Sequence, residues 1–266
     1  MQYDLEQLTH RCRQIARQAG ERILEIYQGR FEIRHKDDNT PVTSADIAAH
    51  HIIARGLKRL TPEIPVLSEE STIVPYEIRK RWERYWLVDP LDGTCEFIKH
   101  NGEFSVNIAL IEHHCSILGV IYGPAVDLEY FAWKNGGAFK CVDIHPPHPI
   151  HVRPLGENKV VVAGSRSHGS PALRAYLSKL GDVEFVKMGS SLKSCLVAEG
   201  KADLYPRLGL TAEWDTGAAQ CIVEQAGGRL TDTRMQPLRY NTKDSLLNPE
   251  FFVFGDPTTN WSRYLA

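Results

Sequence analysis

The sequence predicts an α/β protein, a layered α+β sandwich built as two subdomains over residues 1–145 and 146–266. Three observations carry that expectation. Two helical segments open the chain, the first clearly amphipathic, and strand-like runs broken by short turn signals follow, which is the pattern of an antiparallel meander. From Val142 to Pro154 periodicity stops in a stretch rich in Pro and His, which marks a boundary. Beyond it short strands alternate with helices, as in an α/β repeat with a parallel or mixed sheet.

In residues 3–28, Leu5, Leu8, Cys12, Ile15, Ala19, Ile23 and Ile26 recur at helical spacing, and Gly29 ends the segment. Phe31–Arg34 reads as a strand and Asn39-Thr40-Pro41 as a turn. A second helix opens within Val42-Thr43-Ser44-Ala45-Asp46, with Ser44 as its cap, and runs to about Leu60. Asp46 sits in its first turn, where the helix dipole alone would favour an acid. Pro65-Val66-Leu67 is a short strand that delivers Ser68-Glu69-Glu70 at its end. Tyr85–Val88 is another, and it runs into Asp89-Pro90-Leu91-Asp92-Gly93-Thr94; if the two strands are neighbours, Glu69 comes beside Asp89 and Asp92. Phe104–Ile111, Cys115–Tyr122, Leu128–Trp133 and Ala138–Cys141 make the meander. Histidines 145, 148 and 151 have no acidic or thiol partner nearby and are not expected to hold a metal. In the second half Val160–Ala163, Val183–Val186 and Ala202–Tyr205 read as strands, and 171–180, 190–199 and 215–226 as helices, the last capped by Asp215.

The totals narrow the functional classes. A chain of 266 residues with 42% apolar content and mean hydropathy of -0.30 reads as soluble and globular. Apolar runs are too short for a membrane span, and Asp4 and Glu6 in an opening with no apolar stretch argue against a signal peptide. A net charge of -2 offers no field to attract nucleic acid or anionic lipid, so an anionic small-molecule substrate must be held by local cations. Cysteines at 12, 95, 115, 141, 195 and 221 form no CxxC pair and no zinc-ligand spacing, which fits reduced thiols in a cytoplasmic protein.

The chemistry is concentrated where strands end. Pro90 and Gly93 force the chain to turn, so Asp89, Asp92 and the Leu91 carbonyl can face one point. Three hard oxygens suit magnesium, which keeps open positions for substrate. The amides of Gly93 and Thr94 begin a helix and favour a phosphate. Turn and cap chemistry explains each acid singly. It does not explain why Glu69, Asp89, Asp92 and Asp215 all sit at element ends, since carboxylates clustered without a cation repel one another. Two ions in such a cluster polarise a phosphoryl group and activate water. A haloacid-dehalogenase-type aspartyl-phosphate enzyme needs its aspartates at i and i+2, whereas here the interval is three with a proline between.

Taken together, Leu67-Ser68-Glu69-Glu70, Asp89-Pro90-Leu91-Asp92-Gly93-Thr94 and Trp214-Asp215-Thr216-Gly217-Ala218 resemble the lithium-sensitive, magnesium-dependent phosphatases of the inositol monophosphatase superfamily, with its fructose-1,6-bisphosphatase-like fold. The likeness spans nearly the whole chain. Pro41–Asp46, Glu96–Phe104, Ser165–His168, Gly189–Lys193 and Leu204–Arg207 resemble the bacterial 3′(2′),5′-bisphosphate nucleotidases within it. The resemblance implies that Glu69, Asp89, Asp92, Asp215 and the Leu91 carbonyl hold two or three Mg2+ ions, with Glu70 behind them or at a third ion. It makes Asp46 and Thr94 the catalytic pair that deprotonates the attacking water, and Gly93 and Thr94 the phosphate grip. Substrate contacts would also come from Glu69, Leu91, Asp92 and Asp215, and from Arg166, His168, Ser191, Lys193 and Arg207. The implied reaction is hydrolysis of the 3′-phosphate of adenosine 3′,5′-bisphosphate, and of its phosphosulfate relative, in the recycling of a by-product of sulfate activation. Some relatives associate peripherally with the inner face of the cell membrane. The alternative within the family is an inositol-1-phosphate phosphatase. A non-catalytic metal and nucleotide sensor would have no use for the Asp46–Thr94 pair. One departure stands at Cys95, where such relatives carry Lys, and it bears on local charge beside the phosphate turn.

Overall fold

The computed structural model describes residues 3–35, 40–72, 74–143, 145–156, 159–165 and 170–265. In chain order the first half contains α1 (Leu5–Tyr27), β1 (Ile33–His35), β2 (Pro41–Thr43), α2 (Ser44–Leu60), β3 (Val66–Ser68), α3 (Tyr76–Arg79), β4 (Arg84–Asp92), α4 (Thr94–Ile98), β5 (Ser105–Glu112), β6 (Cys115–Gly123), β7 (Leu128–Trp133) and β8 (Gly137–Val142). The second contains β9 (His148–Pro149), β10 (Val160–Gly164), α5 (Pro171–Leu180), β11 (Val183–Lys187), α6 (Leu192–Ala198), β12 (Leu204–Arg207), α7 (Gly217–Gln225), β13 (Arg229–Asp232) and β14 (Phe251–Phe254). Single 3-10 turns occur at Pro124–Val126, Glu213–Asp215 and Trp261–Tyr264.

Strands β3 to β9 form one seven-stranded sheet in sequence order, parallel at β3–β4 and antiparallel thereafter. The second sheet is mixed, ordered β11-β10-β12-β14-β13. Side-chain alternation along the strands sets the layers. On the first sheet Trp86, Val88, Ile108, Leu110, Leu118 and Val120 pack with the apolar stripes of α1 and α2. Their neighbours Tyr85, Leu87, Ala109, Ile111 and Ile121 face the other way, onto α6 and α7. On the second sheet Val161, Ala163, Tyr205, Phe251 and Val253 join that same central core, while Val162, Leu204, Phe252 and Phe254 face α5 and Trp261. The result is five alternating layers of helix and sheet, with α6 and α7 buried between the sheets. The division drawn between residues 145 and 146 falls just before β9, which pairs with β8 and completes the first sheet.

Several expectations require correction. The cap of α2 is Thr43, one residue earlier than expected: its Oγ1 accepts from Ala45 N at 3.1 Å and donates to Asp46 Oδ2 at 2.6 Å. Asp215 does not cap α7; it lies in the Glu213–Asp215 turn, and Thr216 occupies the cap. Strands β13 (Arg229–Asp232) and β14 (Phe251–Phe254) were not expected from the sequence; they pair with each other, and β14 with β12, to complete the second sheet. Most consequential is β4, which does not stop at Val88 but continues through Asp92.

Candidate active site

That extension explains how two aspartates three apart can act together. On a regular strand residues 89 and 92 would point to opposite faces. Here Asp89 stands opposite Asn107 and Asp92 opposite Ser105, so β4 carries one extra residue between them. The extra residue makes a β-bulge, which re-aims side chains and bends the strand. Pro90 fits within it because the bulge releases the ladder bond that its missing N–H could not make. Asp89 Oδ1 accepts from Leu91 N at 3.0 Å, tying the carboxylate to the bulge. Gly93 then turns the chain at φ +93°, where a Cβ would stand 3.1 Å from the Glu103 carbonyl.

Carboxylate oxygens of Asp89, Asp92 and Asp215 lie within 4.8 Å of one another. Asp89 is 1% exposed. Burial, then repulsion from Glu69, Asp92 and Asp215, pushes its carboxyl well above the ordinary range. Burial and Asp92 do the same to Asp215, against a hydrogen bond from Ala212 N at 2.9 Å. Asp89 and Asp215, each raised in part by the charge of Asp92 and of the other acids around them, mark a site short of positive charge. The donor set, all hard oxygen on a rigid strand bulge and turn, fits a divalent cation such as magnesium. Glu69 lines the same cleft and its amide donates to the Val88 carbonyl at 3.1 Å, so β3 does bring it beside the motif. Its charge acts on Asp89 and Asp215 although it is outside the converging trio. Leu91 also lines the cleft, and its carbonyl accepts from Thr94 Oγ1 at 3.3 Å.

Asp46 and Thr94 are joined across the cleft edge. Asp46 Oδ2 accepts from Thr43 N at 2.8 Å and Thr43 Oγ1 at 2.6 Å, which leaves Oδ1 for Thr94 Oγ1 at 3.1 Å. Burial raises the Asp46 carboxyl, and Glu70 adds to the rise, while the Thr43 and Thr94 bonds oppose it. Glu70 therefore acts on Asp46 rather than lining the cleft with the trio.

The opposite wall comes from the second sheet and α6. Ser191 Oγ lies 2.6 Å from Asp92 Oδ2 and 2.8 Å from the Asp215 carbonyl, and accepts from Asn107 Nδ2 at 2.9 Å. It locks two of the three acids to each other. Lys193, only 7% exposed, donates to the Ser190 carbonyl at 2.6 Å and sits 5.5 Å from the centre of the Tyr205 ring. Burial lowers its pKa, opposed by Asp92, Asp215 and Glu96. Arg207 Nη2 donates to the Leu210 carbonyl at 2.9 Å, and its buried Nε has no partner. Carboxylates, Thr94, Ser191, Lys193 and Arg207 all line one cleft of about 690 Å3. Arg166 and His168 lie outside the described residues. Sequence reasoning missed Asn107 and Ser105, whose side chains join at 3.0 Å under Ser191. A polar pair interrupting the apolar run of β5 was the available signal. It also missed Glu103, whose carboxylate holds the Gly189 amide at 2.8 Å.

Known proteins resemble the chain over nearly its whole length. The profile of the inositol monophosphatase family matches residues 4–255. The chain belongs to the inositol monophosphatase family, and it is a phosphatase. It is 50% identical over 242 residues to the 3′(2′),5′-bisphosphate nucleotidase CysQ of Escherichia coli strain K12, covering 90% of this chain and 96% of that one. Identity to CysQ of Haemophilus influenzae is 38% over 263 residues, with 96% of each chain covered. Among solved structures, CysQ from Bacteroides thetaiotaomicron superposes with a TM-score of 0.82 at 39% identity, covering 95% of this chain and 98% of that one. No helix among the described residues is long and apolar enough to cross a membrane.

Proposed function

We propose that the protein hydrolyses the 3′-phosphate of adenosine 3′,5′-bisphosphate, giving AMP and inorganic phosphate, with magnesium held by Asp89, Asp92, Asp215, Glu69 and the Leu91 carbonyl. The observation that carries this reading is a trio of mutually repelling carboxylates facing two cations across one cleft. The names of relatives at 50% and 38% identity support the substrate. Two or three bound Mg2+ ions would neutralise phosphoryl oxygens and acidify a water. The chain's own residues do the rest. Thr94 Oγ1, aligned by Asp46 Oδ1, takes a proton from the attacking water as its own passes to Asp46, whose raised proton affinity suits the task. Gly93 and Thr94 amides orient the phosphate. Ser191 keeps Asp92 in place. Arg207, with an unused buried Nε, grips the second phosphate, and Lys193 raises the potential behind it. Arg166 and His168 are further substrate contacts on this reading. It carries with it a cytoplasmic location, a role in recycling a by-product of sulfate activation, and acceptance of the phosphosulfate analogue.

Phosphate release with Mg2+ from adenosine 3′,5′-bisphosphate and from inositol 1-phosphate, measured side by side, tests the proposal. The nucleotide should be favoured, with AMP as its product and with inhibition by lithium. Arg207→Ala should raise KM for the nucleotide about 10–100-fold, the loss of one charge-assisted contact. Preference for the inositol ester would replace this reading with the inositol phosphatase one.

A further inference from the structure

The cleft is larger and more varied than a phosphate site. Among the described residues a few large apolar side chains are exposed, and of these only Leu210, at 74%, and Leu247, at 44%, line it. Both are presented by backbone that is held in place. Ala212 and Leu247 pair as an antiparallel bridge. Asn248 N donates to the Thr211 carbonyl at 2.8 Å, Glu213 N to the Leu246 carbonyl at 2.8 Å, and Asn248 Nδ2 to the Ala212 carbonyl at 2.6 Å. The two leucines therefore stand on a stitched pair of segments, while Asp215 lies at the end of one of them. Arg207, bonded to the Leu210 carbonyl, fixes a cation at the inner edge of the same lip.

From this juxtaposition we infer that Leu210 and Leu247 form the contact surface for the nucleotide base, adjoining Arg207 as the second-phosphate grip; the inference rests on the nucleotidase reading above. Branched aliphatic side chains have no donor or acceptor, so they meet a base by its face and read its flatness rather than its edge pattern. A purine loses little by turning an apolar face to them and removes both leucines from water. A polyol with a hydroxyl on each carbon would lose hydration on the same surface with no hydrogen bond in return. The lip thus favours a heterocyclic ester over a cyclitol ester while remaining tolerant of which base is attached.

The test is binding of AMP and of ribose 5-phosphate, which lacks the base, to magnesium-loaded wild type and to Leu210→Ser, Leu247→Ser and the double variant. Calorimetry gives affinities, and both sites are exposed, so melting temperatures check that the fold persists. Wild type should bind AMP at least about 10-fold more tightly than ribose 5-phosphate, and the double variant should narrow that gap to about 3-fold or less. A gap that survives in the double variant places the base elsewhere and overturns the inference, as does a wild type with no gap. Turnover of adenosine 3′,5′-bisphosphate by the same wild-type sample separates the two levels. An affinity gap closed by the variants, without phosphate release, refutes the nucleotidase reading and keeps the lip; release with no gap refutes the lip and keeps the nucleotidase reading.

Discussion

Gly119→Ala should disable the enzyme from a position that touches neither metal nor substrate. Gly119 lies mid-strand in β6, where a Cβ would come 2.2 Å from the Ala218 carbonyl oxygen and 3.0 Å from its carbonyl carbon. Ser116 Oγ, on the same strand, donates to the Gly217 carbonyl at 2.7 Å. The start of α7 is thus seated directly on the sheet, and Asp215 leaves that seat two residues earlier. Ordinary contact lies roughly 1 Å beyond the clash distance, and both atoms involved belong to backbone, so α7 must move bodily. Overpacking of this kind costs about 1–3 kcal/mol, and a rigid partner puts the cost at the upper end. At about 2–4 °C per kcal/mol for a chain of this size, the melting temperature should fall by roughly 5–10 °C. A shift of about 1 Å at Asp215 should lower kcat by up to about 10²-fold. Gly29→Ala, whose Cβ would meet only two helix carbonyls at 3.7 Å, is the control. The assay pairs thermal melting with magnesium-dependent phosphate release. Wild-type stability and activity in Gly119→Ala would refute the packing argument, and lost stability with full activity would refute the claim that α7 positions Asp215.

Three further outcomes follow from the site. Asp89 and Asp215 have folded pKa values raised above 3.8, so their contribution to stability is present below that value and is lost as pH rises through the raised ones. In chelator, Asp215→Asn should therefore melt above wild type near neutral pH, with the gap closing toward acid; a gap independent of pH counts against a carboxyl raised by burial and by its acidic neighbours. Glu213, pushed up to about 7 chiefly by burial, loses its contribution as pH rises from 4.5 through about 7. The melting temperature of Glu213→Gln relative to wild type should rise across that window, and a flat difference would contradict the shift. Ser191→Ala frees Asp92 and should raise the magnesium concentration for half-activation by about 3–10-fold, a cost of about 1 kcal/mol. Unaltered magnesium activation would mean that Ser191 does not position Asp92.

Much of the fold was legible because its apolar periodicities are strong. Helix α1 and the four-strand meander β5–β8 carry strong patterns, interrupted in β5 by Ser105 and Asn107, and their expected bounds agree within a few residues. The convergence of Asp89, Asp92 and Asp215 was legible too, since turn residues beside them drew attention to all three. What the pattern could not convey was the bulge. Asp89-Pro90-Leu91-Asp92 reads locally as a turn, and only pairing with Ser105 and Asn107 on β5 makes it a strand with one residue too many. The same limit hid the Ser191–Asp92 bond, which joins residues 99 positions apart. Lys193 read as one cation among several; its burial over Tyr205 is a product of the packing of α6 between the sheets. Leu210 and Leu247 carried no signal at all, because an exposed leucine in a loop is unremarkable until both are seen on one cleft.

The central claim is that Asp89, Asp92 and Asp215 act as one metal-holding unit that hydrolyses a phosphate ester. Chelator-stripped protein, titrated with Mg2+ while phosphate release from adenosine 3′,5′-bisphosphate is followed, tests it most directly when wild type and Asp215→Asn are run together. The account predicts no turnover before magnesium is added and full recovery in wild type, with Asp215→Asn at least about 10²-fold slower at every magnesium concentration. Turnover in chelator, or near-normal turnover by Asp215→Asn, would contradict it.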